Sequence, residues 1–225
     1  MTIRISWRYL VAFAALTILC GTSHEFVHHF AGAALCGAFG TKTFNSFSLA
    51  PGCNANLTKA YWAAMAGPIF TFGLMWIGFV MLRRGNAAAK RMGFALVFAN
   101  FPVNRMIFVF LGANDEQYAS RLMFGRSPLV FWLTVAAVLA VSLPPVIEGF
   151  RQLQNRPKIA WCAGFYLLPF AFVIVFAGLF LENYFLDQRH VLAGQIIGIP
   201  YLILAVEAVS AVTFEVYKGA LRAEP

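Results

Sequence analysis

Residues 9–30 read YLVAFAALTILCGTSHEFVHHF, an apolar run that closes on His24-Glu25-Phe26-Val27-His28. The run has the length of a bilayer-crossing helix, which takes about 20 apolar residues. It also carries an H-E-x-x-H motif near its end. Residues four apart on a helix lie about 40° apart around the axis, so His24 and His28 share a face. Two neutral imidazoles at that spacing can hold one zinc ion, with Glu25 beside it to take a proton from water. A polar kink or interfacial cap is the plainer reading. It leaves unexplained why ionisable groups, costly inside a membrane helix and usually functional there, cluster at this point.

The rest of the chain is of the same class. Of 225 residues, 60% are hydrophobic and 12% charged, against about 25% charged in soluble domains, and the mean hydropathy is +0.72. Six stretches reach membrane length: 9–30, 61–82, 92–112, 129–147, 160–181 and 191–214. The expected fold is all-α, one polytopic membrane domain over 1–225 with about six transmembrane helices. The first run follows Arg4 and Arg8 in the manner of a signal peptide, but it holds the motif and leads into further spans, so it is read as retained.

Basic residues sort by side. One side holds Arg4, Arg8, Arg83, Arg84, Lys90, Arg91, Arg151, Arg156, Lys158, Lys218 and Arg222; the other holds Lys42, Lys59, Arg121, Arg126 and Arg189. That excess places both termini in the cytoplasm and the motif toward the outer face. The net charge of +8 is therefore a topology signal. The basic residues form no stripe, which excludes nucleic acid as a partner.

Between the first two spans, Phe44, Phe47 and Leu49 among Thr43, Asn45, Ser46 and Ser48 suggest a short β-hairpin or re-entrant segment, with an irregular interfacial loop as the alternative. Cys36 and Cys53 both fall here, whereas Cys20 and Cys162 sit in spans. An outer location permits a disulfide; two free thiols are the expectation. Met65-Ala66-Gly67-Pro68 opens the second span, and Asn100, Pro102, Asn104 and Arg105 interrupt the third. Proline frees a backbone carbonyl and glycine allows close helix approach. So much polarity in the third span requires that its face point into the bundle.

A catalytic zinc needs a third protein ligand and an open position. The chain has four histidines, so the choice lies among His29, His190, Asp115 and Glu116. His29 points about 100° away from His28. Depth favours Asp115: at about 1.5 Å per residue from the cytoplasmic ends, His24 lies roughly 22 Å up, His28 roughly 28 Å, and Asp115 roughly 34 Å on a straight helix. His190 and Glu116 stay as alternatives.

H-E-x-x-H in an early span, Ala66-Gly67-Pro68 in the next, and an Asn/Pro-bearing span leading to an aspartate resemble the site-2 protease family of intramembrane zinc metalloproteases. The resemblance covers roughly residues 20–116; the helices over 129–214 match nothing in it. It implies a metalloprotease-like core over about 9–116, His24, His28 and Asp115 as ligands of one zinc per chain, and Glu25 as the catalytic base. It further implies Gly67, Pro68, Thr71, Asn100, Asn104 and Asn114 as residues lining the site. A membrane protein or peptide would be the substrate, and a bacterial inner (plasma) membrane the location. Thr71 stands where the family usually has Asn, and Asp115 comes later than the family's Leu-Asp-Gly. Family members cut near the cytosolic face, whereas the charge count points outward. His24 and His28-His29 superficially resemble a histidine box of membrane di-iron enzymes, but four histidines are too few for that set. A non-catalytic membrane protein, keeping Arg105 and Glu207 as intramembrane polar groups, is the other class.

Overall fold

The computed structural model describes residues 1–223, folded as a bundle of helices. Its elements are α1 (Trp7–Cys36), α2 (Leu57–Arg84), α3 (Ala87–Ala99), α4 (Pro102–Leu111), α5 (Asp115–Phe124), α6 (Pro128–Gln152) and α7 (Lys158–Phe172). A π-helical stretch, Val173–Gln188, continues α7; a two-residue pair β1 (Gln195–Ile196) and β2 (Ile199–Pro200) and a final α8 (Tyr201–Arg222) follow. Starts are written in the sequence: Ser6, Asn56, Asn86, Asn114 and Ser127 each accept a backbone N–H of the first turn with their side chains. These residue types satisfy amides that have no partner within the helix.

Five helical segments are long and apolar enough to cross a membrane: Trp7–Cys36, Leu57–Arg84, Ala87–Phe124, Pro128–Gln152 and Lys158–Gln188. The expectation of six is met in five. The sixth stretch, 191–214, is not one helix. Gly194, Gly198 and Pro200 interrupt it, Gln195 pairs with Pro200 and Ile196 with Ile199 in an antiparallel turn, and the helix starts only at Tyr201. That helix carries Glu207, Glu215, Lys218 and Arg222, more charge than the other segments concentrate in a membrane-length window. It nevertheless runs antiparallel along most of α1. Tyr217 meets Trp7 at one end with ring centroids 5.4 Å apart, and the Ile197 carbonyl accepts from His29 at the other.

The third span is broken where its sequence breaks it. Pro102 opens α4 and cannot donate an N–H, Phe101 takes a left-handed backbone at φ 34, and the Asn100 side chain donates to the Leu96 carbonyl at 2.7 Å. The redirected α4 buries Arg105. A further short helix, α5, then begins at Asp115 beside α2. The core lies around Met75, Leu82, Phe94, Phe98 and Phe165. Large aliphatic side chains such as Leu129, Leu133, Leu168, Val209 and Val212 stay exposed, as on a surface meant for lipid tails rather than water.

The segment between α1 and α2 corrects two expectations. Its strand is reduced to one antiparallel bridge, Lys42 to Phe47, tied to the second turn by the Lys42 amide donating to Gly198 at 2.9 Å. Too few residues alternate to build more. Cys36 and Cys53 are not free thiols but a disulfide, because the Gly37 end of α1 and the turn before α2 bring their Cα atoms to 5.8 Å, within bonding range. With 17 residues of separation, chain entropy bounds its contribution at about 3 kcal/mol. Replacing Cys53 with Ser is expected to accelerate amide exchange across residues 37–56 and leave α2 and α3 unchanged; equal protection of the loop in both proteins would show that the bridge does not order it.

Candidate metal centre

His24 and His28 lie on one face of α1, both buried, with Nε2 atoms 3.0 Å apart. Asp115 enters from the first turn of α5, its Oδ2 3.2 Å from His24 Nε2 and 3.6 Å from His28 Nε2. The rings are oriented from behind by α2. His28 Nδ1–H donates to the Ala63 carbonyl at 2.7 Å, which leaves the lone pair on Nε2, and His24 Nδ1 is hydrogen-bonded to Thr71 Oγ1 at 2.8 Å. Such outer partners fix the tautomer that binds a metal.

With Nδ1–H of His24 donated to the Thr71 hydroxyl, as that of His28 is to the Ala63 carbonyl, both Nε2 lone pairs and Asp115 Oδ2 converge on one point. Bonds of about 2.0–2.1 Å in tetrahedral geometry would put ligand atoms about 3.3–3.4 Å apart. The separations found, 3.0, 3.2 and 3.6 Å, bracket that value, so the set fits a metal ion. His24, His28 and Asp115 are a group that could hold one.

Gly67 makes the approach possible. A Cβ there would lie 2.3 Å from His28 Nε2 and 2.6 Å from His24 Cε1, so any side chain would occupy the space of the rings. Pro68, the next residue, is buried in α2 and supplies no N–H to the helix. Asn114 caps α5 by accepting the Gln117 amide at 3.2 Å, which sets Asp115 at the start of that helix. Asn104 and Asn114 line a cavity of about 340 Å³ together with His24, Glu25, Asp115 and an apolar wall that includes Phe108 and Phe176. Asn100 does not line it; its amide is turned back to the Leu96 carbonyl. The other ligand alternatives stand apart. His29 donates from Nε2 to the Ile197 carbonyl at 2.9 Å, His190 is exposed in the turn after the π-helix, and Glu116 faces Arg105.

Two residues at the centre carry no motif. Arg105 donates to His24 Nε2 at 2.7 Å and to Asp115 Oδ2 at 2.9 Å. The signal for it in the sequence was an arginine inside an apolar span, although Glu207, the acid at hand there, bonds Thr22 instead. Lys42, on the loop, is buried with its ammonium 4.3 Å from the Phe26 ring centre, and it donates to the Thr43 carbonyl at 3.0 Å. Burial pulls its pKa down to about 8, against the opposing pull of Glu25. Phe47 of the same loop stacks on His28, ring centroids 4.3 Å apart, so the disulfide-held segment covers the centre.

The chain matches no protein-family model, no curated protein and no solved structure.

Gly67→Ala is expected to cut affinity for a divalent metal ion at least about tenfold, the scale of displaced ligand support, with helicity by circular dichroism unchanged. Gly73→Ala, where a Cβ meets nothing within 4 Å, is the neutral control. Equal affinity in the two variants would mean that the rings do not depend on the gap in α2.

Proposed function

We propose that the protein is an intramembrane zinc metalloprotease that hydrolyses peptide bonds of membrane-embedded or membrane-adjacent segments. The observation that supports this reading is the His24–His28–Asp115 group, two of whose members, His24 and Asp115, line the same cavity as Glu25. Zinc held there would supply Lewis acidity, polarising a peptide carbonyl and acidifying water. Glu25 accepts the proton of the attacking water on its carboxylate and passes it to the leaving amide nitrogen. Thr71 and the Ala63 carbonyl hold the two imidazoles in one tautomer throughout. The apolar wall takes an unwound substrate segment, since a helix shields its own carbonyls, and keeps bulk water from the reacting bond.

In this reading α8 is the sixth crossing, its Glu207 turned inward to Thr22 and its exposed valines facing lipid. The metal centre then opens toward the outer face of a plasma membrane. Two independent features favour that side: the basic residues crowd the opposite end, and the Cys36–Cys53 bond belongs to an oxidising compartment. A second reading, a non-catalytic membrane protein with a structural polar network, draws on Arg105 sitting against two of the three ligand atoms.

Metal analysis separates the two. The purified protein is expected to carry one zinc, lost in His24→Ala and His28→Ala. Glu25→Gln is expected to keep the metal while cleavage of a membrane-embedded peptide falls by about 10²–10⁴, the range of a lost general base. Full zinc in both histidine variants, or undiminished cleavage in Glu25→Gln, rejects the protease reading. For sidedness, an impermeant thiol reagent on intact cells is expected to label Cys36 and Cys53 only after reduction. A cysteine replacing Asn86 is expected to stay protected until the membrane is opened; the opposite pattern puts the centre on the cytoplasmic side.

A further inference from the structure

A guanidinium has donors and no acceptor, so each bond made by Arg105 occupies a lone pair. Nη2 lies 2.7 Å from His24 Nε2 and 3.1 Å from Nδ1 of the same ring, which sets it against the face of the imidazole, beside the nitrogen a metal would need. Nη1 takes a second ligand atom, Asp115 Oδ2, at 2.9 Å. The guanidinium therefore crowds the space from which a metal ion would hold His24 and Asp115. Like charge opposes their sharing the space as well, in a pocket where both Arg105 and Glu116 are only 3% exposed.

The same neighbourhood offers the guanidinium another seat. Both carboxylate oxygens of Glu116 lie 3.4 Å from Nη1, just beyond the usual hydrogen-bond distance of about 2.7–3.2 Å, so this pair has slack to close. The Nε–H of Arg105 is buried with no hydrogen-bond partner, so the pose against His24 leaves a donor unmet. Glu116 sits in the first turn of α5, where the helix dipole supports a negative charge.

We propose that Arg105 is a built-in competitor for the metal at His24 and Asp115, and that Glu116 is the counter-charge onto which its guanidinium withdraws when a cation binds. This rests on the metal-centre reading and not on proteolysis. Arg105 holds the buried acid and imidazole paired whenever no cation does, and sets how tightly a cation must bind to enter. Glu116 lowers that barrier by accepting the displaced charge. Both are positioning residues in this scheme.

Zinc affinity measured by competition with a chromophoric chelator tests it in the full-length, detergent-solubilised protein. Arg105→Gln is expected to bind zinc roughly 10- to 100-fold more tightly, the scale of relieving one like charge in a partly screened site. Glu116→Gln is expected to bind it roughly tenfold more weakly, and in the Arg105→Gln background the Glu116→Gln change is expected to have no further effect. The metal-free Arg105→Gln protein is expected to melt below the wild type while its zinc-loaded form melts at the wild-type temperature. A residue that merely supports the ligands would lower both. Arg105→Lys, which keeps the charge on a narrower head, is expected to lie between and provides the reading if the glutamine variant fails to fold. Equal or weaker zinc binding in Arg105→Gln, or equal or tighter binding in Glu116→Gln, overturns the proposal while leaving the protease reading standing. Absence of zinc binding in the wild type and in every variant overturns both.

Discussion

The constraint on which this structure depends is that polar atoms buried in an apolar bundle must find partners. His24, His28 and Asp115 bring three acceptor atoms within 3.6 Å of one another, where they repel unless a cation or a donor lies among them. Much of the surrounding architecture serves that convergence. Gly67 thins α2 to let the rings in, Thr71 and the Ala63 carbonyl take their outer nitrogens, and Arg105 answers the carboxylates.

The acid reaches the histidines because a helix is broken twice. Had the span run straight from Met92, Asp115 would stand about 6 Å beyond His28 by residue rise. The break at Asn100-Phe101-Pro102 turns α4, and the Asn114 cap restarts the chain as α5 against α2. Proline and the left-handed Phe101 thus act as geometry for the site more than as flaws in a span. The loop over the centre follows the same logic from the other side. It is pinned by Cys36–Cys53, joined to the β1–β2 turn through Lys42, and laid on His28 through Phe47. A hairpin of one bridge would not persist alone; it holds its shape because both ends and its middle are attached.

The sequence by itself determined what depends on near neighbours. Apolar length specified a helical membrane protein, and 3.6-residue periodicity put His24 and His28 on one face while turning His29 away. Side, depth and the family resemblance together favoured Asp115 over Glu116 and His190. Apolar length also ran 191–214 together as one stretch, since hydropathy alone does not register the backbone turn made by Gly194, Gly198 and Pro200.

Tertiary structure alone decided which distant elements meet. Nothing local in Thr71, Gly67 or Ala63 reveals that they face two imidazoles of another helix. Arg105 was legible as a costly charge but not as a partner of His24 and Asp115, and Asn100 turned out to serve its own helix. The Cys36–Cys53 bond likewise required the end of α1 and the start of α2 to be placed side by side. The physical reason is one of range. Helix formation and capping are settled within a few residues, whereas a convergent site is settled by how α1, α2, α4 and α5 pack, and packing is a property of the whole chain.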